Sequence, residues 1–499
     1  MNLRRGARRR PPTPPRAVID IGSNTVRLVI YEGTARAPET VWNEKVAARL
    51  GRDLSETGRI PEEAAKEALD ALARYSLIIS DLGIEDVQTV ATAAARDAEN
   101  GREFLEDVAA LGLRPRLLTG EEEACASAMG ALGAFPGAHG VVADLGGGSL
   151  ELVSIHGNEC HRASSLPFGT LRLPAMRAAG HFETTLHERL GEVGWAATHE
   201  GPLYMIGGTW RALAAYAMRE IDYPLTDPHG FVLSVGEADR MATELVGANP
   251  ADLMQIGGFS EMRAGYLPDA AALLRPLLAE FEPDSLVFSS WGIREGLLYS
   301  RLEPMQQARD PLLAGISAFA SARDAHVTDA TLVSAWTADL VENARPGDER
   351  KRIAAAQLAA SLRRVEPNLR LNCAVEWSLD KRWIDLSPRG RAMICAALVG
   401  ALGRTELPDR LRVLASDDDL REGMTWGLGL RLAQRLGGGT RESLSNSALR
   451  RKKSKLVLEL QPSHAALAAG PVEQELTMLA EWLGLEPKVK VVEGDCADG

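Results

Sequence analysis

Apolar positions along this chain follow two rhythms. Through roughly the first 300 residues, short apolar runs alternate with stretches of helical spacing; beyond that, helical spacing dominates almost to the end. "RAVIDIGSNTVRLVIYEG" predicts strand, turn and strand, and "PEEAAKEALDALARYSLIISDLG" a helix with Pro61 in its first turn. "VQTVATAAAR" predicts a strand entering a loop, "GREFLEDVAALG" a helix, and "RPRLLTGEEEACASAMGAL" a strand breaking into a helix. "GVVADLGGGSLELVSIHG" then repeats the opening: D-I-G-S-N-T-V-R-L from Asp20 aligns with D-L-G-G-G-S-L-E-L from Asp144, position by position. "PLYMIGGTWRALAAY" and "DSLVFSSWGIREGLLY" each predict strand, turn and helix. The alternation points to an α/β protein with mixed sheets, built from two related halves. From about 301 an Ala/Leu/Arg-rich helical region runs to "GLGLRLAQRLGGGT", followed by a small α+β end.

Composition changes this picture little. With 499 residues, 45% hydrophobic and 25% charged, the chain has an ordinary globular make-up with material for several cores. No apolar run is long enough to span a bilayer, and "MNLRRGARRRPPTPPR" lacks the apolar core of a secretory signal, so residues 1–16 are expected to form a disordered tail. Five cysteines, widely spaced and without a C-x-x-C pair, argue against a zinc site and for a reducing compartment; the expected location is cytoplasmic. A net charge of −12 argues against nucleic acid as partner, though it is silent about local fields.

The chemistry concentrates in the turns. Gly146, Gly147 and Gly148 allow backbone N–H groups to point into a loop, and Ser149 adds a hydroxyl; Ser23, Asn24 and Thr25 offer similar donors in the first hairpin. Facing each other, the loops would clamp a phosphate chain. Asp144 and Glu151 are hard oxygen donors suited to Mg²⁺ beside phosphate, and Arg27, aligned with Glu151, would bind phosphate oxygens. Thr92 and Arg96 fall at a strand end, where α/β sheets bind ligands, and Gly208 and Thr209 form a third such turn. Thr119 and Glu122 fit a capping box; one of Glu121, Glu122 and Glu123 is a candidate general base, and the residues alone do not choose among them. "RRKKSK" (450–455) reads as a solvated turn, and the helical region has no HD dipeptide and no H-x-x-x-H.

Six stretches in register, "AVIDIGSNTVRLVI", "ATAAARDAENG", "LLTGEEEACASAMGA", "VVADLGGGSLELV", "IGGTWRALA" and "GIREGLLY", resemble the exopolyphosphatase / guanosine pentaphosphate phosphatase (Ppx/GppA) family of the actin and sugar-kinase superfamily, over roughly residues 17–300. The resemblance implies two ribonuclease-H-like domains (17–137 and 138–300) around a cleft, a helical HD-like domain lacking metal ligands (301–436) and a small α+β domain (437–499). It implies Glu123 as the catalytic base and Asp144 and Glu151 as metal ligands. It further implies Mg²⁺, a monovalent cation such as K⁺, and a homodimer. The expected activity is release of orthophosphate from polyphosphate; pppGpp 5′-hydrolysis, an ATP-dependent kinase and a non-catalytic polyphosphate or alarmone (pppGpp/ppGpp) sensor are the alternatives.

Overall fold

The structure, a computed structural model, describes residues 13–180, 182–195, 200–256, 260–341 and 345–492. The chain divides after Arg309 into two compact units. The first continues past residue 300 because the buried Arg36 donates from Nε to the carbonyls of Gln307 and Arg309, both at 3.0 Å.

Within the first unit, β1 (Arg16–Ile21), β2 (Val26–Gly33), β3 (Pro38–Val46), β4 (Asp86–Ala91) and β5 (Pro115–Leu117) form a sheet in the order β3-β2-β1-β4-β5. A second sheet contains β6 (Gly140–Leu145), β7 (Leu150–His156), β8 (Glu159–Leu166), β9 (Leu203–Ile206), β10 (Val232–Leu233) and β11 (Leu286–Phe288), in the order β10-β11-β9-β6-β7-β8. Both have the same plan. An antiparallel hairpin, β1/β2 or β6/β7, carries a third antiparallel strand on its outer side, and a parallel strand, β4 or β9, lies beside its first strand. This is the doubled mixed α/β layout that the repeat predicts. Central strands such as "RAVIDI" are apolar on both faces because helices or the other lobe cover both. β1 begins inside the expected tail: Arg16 is buried and paired in the sheet. Residues 13–15 of that expected tail form no helix or strand, and residues 1–12 lie outside the described residues.

Two helices cross between the sheets. Helix Gly120–Ala134 follows the first sheet yet packs on the second, where Ala124, Ala128, Ala131 and Leu132 join Val142, Val153 and Ile155 in one core. Helix Ile293–Tyr299 ends the second lobe, and its Leu297 and Leu298 pack with Val18, Val29 and Val90 of the first sheet. A boundary at 137 therefore cuts a helix from the sheet it covers. The helices meet at glycines: a Cβ on Gly296 would lie 1.7 Å from the Ala126 carbonyl oxygen, and one on Gly130 would lie 2.3 Å from that of Gly292.

The same packing brings together two of the cysteines whose wide spacing argued for a reducing compartment. Helix Gly120–Ala134 lies on β8, so Cys125 and Cys160, 35 residues apart in sequence, come to a Cα separation of 5.9 Å and form a disulfide. Cys373 and Cys395 are free thiols, and Cys496 lies outside the described residues.

In the second unit the described residues are helical as far as helix Arg441–Ser445. Helices Pro388–Ala401 and Asp417–Gly437 form a close pair, Gly423 against Met393 and Gly427 against Ala397, around a core that includes Met393, Ala397, Leu398 and Trp426. A sheet in the order β12-β13-β14 follows: β12 (Ser447–Lys452), β13 (Lys455–Leu460) and β14 (Glu486–Val491), with helix Gly470–Leu483 between the last two. "RRKKSK" is thus mostly hairpin strand, turning only at Lys453–Ser454, where Lys453 takes a φ of 38°.

Candidate active site

The two hairpins build the site by the same rules. In each, the first turn amide donates across the turn, from Gly22 to the Thr25 carbonyl and from Gly146 to the Ser149 carbonyl, both at 3.0 Å. The turn carbonyls are tied from behind. Ser23 and Asn24 accept from the amides of Gly51 and Arg49, and Gly146 and Gly147 accept from those of Thr170 and Leu171. Among the described residues the amides of Gly147 and Gly148 have no protein partner, the arrangement an anion-binding loop requires. The loops touch: a Cβ on Gly147 would lie 3.0 Å from that of Asn24, and one on Gly148 would lie 2.8 Å from Ser23 Oγ. A third turn closes the group. Gly207, at φ 116°, runs so close to the β6 end that a Cβ would sit 2.5 Å from the Leu145 carbonyl oxygen. It leads into helix Gly208–Glu220, whose first residues, Gly208 and Thr209, line the same space.

That space is a cavity of about 200 Å³. It is lined by Ser23, Asn24, Thr25, Arg27, Thr92, Glu123, Asp144, the three loop glycines, Ser149, Glu151, Gly208 and Thr209, all expected from the sequence. Arg96 is not in the lining; it lies behind and donates to Glu123 Oε2 at 3.0 Å. The structure adds Asp20, Lys45, Ser127, Thr170, Arg211, Met262, Arg263, Tyr266 and Arg294.

The glutamate triplet is separated by its helix start. Glu122 completes the capping box with Thr119, Glu121 is exposed, and Glu123 turns into the cavity. Burial raises the Glu123 proton affinity, the Arg96 hydrogen bond and charge oppose this, and nearby Asp144 and Asp20 add to it, for a pKa of about 7.

Register decides which groups face each other. Across β1, β2 and β3, Asp20 is opposite Arg27 and Arg27 opposite Lys45. Across β6, β7 and β8, Asp144 is opposite Glu151 and Glu151 opposite Ser165. Cross-strand partners share a sheet face, so equivalent rows present bases on one lobe and acids on the other. Asp20 is neutralised by Arg294 at 2.8 Å. Asp144 and Glu151 accept only hydroxyl hydrogen bonds, from Ser127 and from Ser165. Burial raises both carboxyls, and for Glu151 the charges of Glu123 and Asp144 add to it. Neither acid is in an ion pair among the described residues, the Arg211 and Arg294 charges only partly offsetting the burial of Asp144; two such buried hard acids are a donor set that fits Mg²⁺, which binds through one or two carboxylates plus substrate and water oxygens. No group of three or more His, Cys, Asp or Glu among the described residues could hold a metal unaided.

The Ppx/GppA phosphatase family matches residues 29–305, more than half of the chain, and the chain belongs to that family. Retrograde regulation protein 2 of Saccharomyces cerevisiae is 29% identical over 337 residues, covering 59% of this chain and 57% of that protein. A guanosine-5′-triphosphate,3′-diphosphate pyrophosphatase of Vibrio campbellii is 25% identical over 313 residues, covering 59% and 61%. The chain thus spans about three fifths of the length of these relatives. The crystal structure of the Aquifex aeolicus family member aligns with 28% identity and a TM-score of 0.50, over 60% of this chain and 99% of that one. An exopolyphosphatase from Cytophaga hutchinsonii shares the fold at 23% identity and a TM-score of 0.52, over 59% and 99%. The second unit lies beyond the family match. No helix of the described residues is long and apolar enough to cross a membrane.

Proposed function

We propose that this phosphatase is an exopolyphosphatase, removing the terminal phosphoryl group of inorganic polyphosphate as orthophosphate. The observation that carries this reading is the placement of Glu123, held by Arg96 at 3.0 Å, at the wall of a cavity lined by three glycine-containing turns. The turn amides and the Ser23, Ser149 and Thr209 hydroxyls hold the terminal phosphoryl oxygens, and Arg27 draws charge from the bridging side. Arg96 fixes the Glu123 carboxylate, which accepts a proton from the attacking water as its oxygen bonds to the terminal phosphorus and the phosphoanhydride bond breaks, the shortened chain leaving with the bridging oxygen. When bound by Asp144 and Glu151, Mg²⁺ would offset the charge of the phosphoryl oxygens. Ser127 and Ser165 orient those two carboxylates. A homodimer and a K⁺ requirement belong to the same reading and are tested by sedimentation and by salt substitution.

Orthophosphate release from purified protein, with polyphosphates of increasing length and with or without Mg²⁺, tests the proposal. Glu123→Gln, which keeps the shape and loses the base, should lower kcat by about 10²–10⁴-fold while substrate still binds; near-normal turnover would remove Glu123 from the mechanism. The Vibrio relative favours a second reading, guanosine pentaphosphate 5′-hydrolysis in the same cavity. The ratio of kcat/KM on the two substrates decides between them.

A further inference from the structure

The proposed chemistry leaves one covalent feature beside the cavity without a role. The Cys125–Cys160 disulfide joins helix Gly120–Ala134 to β8, and these two elements mount all three acids of the site. The helix carries Glu123 two residues before Cys125, and Ser127, two residues after it, donates to Asp144. β8 carries Ser165, which donates to Glu151 at 3.1 Å. One reducible bond therefore ties the mount of Glu123 and Asp144 to the mount of Glu151.

Packing alone holds this junction lightly. From Gly120 to Met129 the helix buries only Ala124, Ser127 and Ala128, and its first large buried side chain is Leu132. At its start it meets β8 through small groups, a Cβ on Gly120 lying 2.9 Å from that of Ser165. β8 is itself the last strand of its sheet and is bonded only to β7. That ladder slips between Ser154 and Ile155, and Ile155 is the residue opposite Cys160. Burial energy scales with the apolar area removed from water, so an alanine face against an edge strand leaves the position of Glu123 sensitive to a covalent tie. Both cysteines are half-buried, which lets a small thiol reach the bond.

We propose that the Cys125–Cys160 disulfide is a positioning link for the reaction: phosphate release is fast with the link closed and slow once a dithiol opens it. In the opening step a thiolate of the dithiol attacks one sulfur of the link and expels the other cysteine as a thiolate. The second thiol of the reagent then attacks the mixed disulfide and frees the remaining cysteine. Two electrons and two protons pass to the protein, which gains two thiols, and the dithiol leaves as a cyclic disulfide. Glutathione disulfide reverses the change and leaves as two molecules of glutathione. The effect on turnover rests on the hydrolase reading; the bracing of the helix does not.

The test compares the full chain before and after dithiothreitol, with thiol titration under denaturing conditions to count the gain. With tripolyphosphate and Mg²⁺, reduction should lower kcat about tenfold or more with little change in KM, as expected when a base is displaced, and glutathione disulfide should restore it. Cys125→Ser and Cys160→Ser should each show the low kcat and respond to neither reagent. Hydrogen exchange gives a readout independent of turnover: on reduction the amides of residues 124–128 should exchange faster while those of β6 do not. Failure to gain two thiols, unchanged kcat after gaining them, or an equal rise of exchange in β6 overturns the positioning link. A Cys125→Ser variant as fast as the oxidised wild type also overturns it. Absence of phosphate release in both states on any substrate overturns the hydrolase reading, and exchange at 124–128 then decides whether the link braces the helix.

Discussion

Glu123 shows how a residue's neighbours set its task. Its carboxylate is buried beside Asp144 and Asp20 and is steadied by a single guanidinium, Arg96, so it titrates near 7. A general base works when deprotonated, so kcat/KM should rise with pH through about 7 and level off above it; Glu123→Gln should abolish that limb. The same shift has the opposite sign for stability. The folded chain binds an extra proton between the ordinary carboxylate range and about 7, so this group's contribution is lost as pH rises through that window. Charge is balanced differently in the second unit. Asp348, wholly buried, accepts from Lys351 at 2.7 Å and from Arg389 at 3.2 Å, and Arg389 also reaches Asp419 at 2.7 Å. Asp348→Ala would leave Lys351 without its partner, and urea denaturation should show a loss of about 3–5 kcal/mol. At this scale the sequence was legible where local rules apply: the Thr119–Glu122 capping box, the glycine turns and the carboxylates around them. It was silent about Lys45, Arg211 and Arg263, since nothing within a few residues of each marks it as facing a cavity.

At the scale of elements, the hairpins were the readable part because their register follows from the turn. One nine-residue alignment set Arg27 at the position of Glu151, and the register of the structure puts Asp20 opposite Arg27 and Asp144 opposite Glu151. The crossing helices were not readable. Helix Gly120–Ala134 has the small residues of a close helix contact, but which sheet it covers depends on a partner about 160 residues away in the sequence. Their seam gives a sharp prediction. Gly296→Ala would drive a methyl group to 1.7 Å from the Ala126 carbonyl, one turn after Glu123. It should cost about 1–3 kcal/mol in thermal or urea unfolding and lower kcat, because the Glu123 helix must shift. The Cys125–Cys160 link follows from the same packing and shows why cysteine spacing was a poor guide here.

For the whole molecule, the doubled α/β plan was legible over the residues that alternate strand and helix. The extent of each unit was less so, because apolar periodicity does not say which elements share a core. All cavity-lining residues precede Arg309, so a chain ending there should fold cooperatively and keep phosphate release on a short substrate. Loss of both folding and turnover in that fragment would show that the first unit is not self-sufficient.

The exchange of Arg27 for Glu151 at equivalent positions of the two hairpins reaches beyond any one contact. Two copies of one design with the same residue there would form a symmetric vice, and a string of identical phosphates could lie in it either way round. Changing one side chain's sign removes that freedom. On the proposed reading the string has a single heading, with its tip toward the acids and its body toward the bases. A duplicated scaffold thus acquires a direction that neither half has alone.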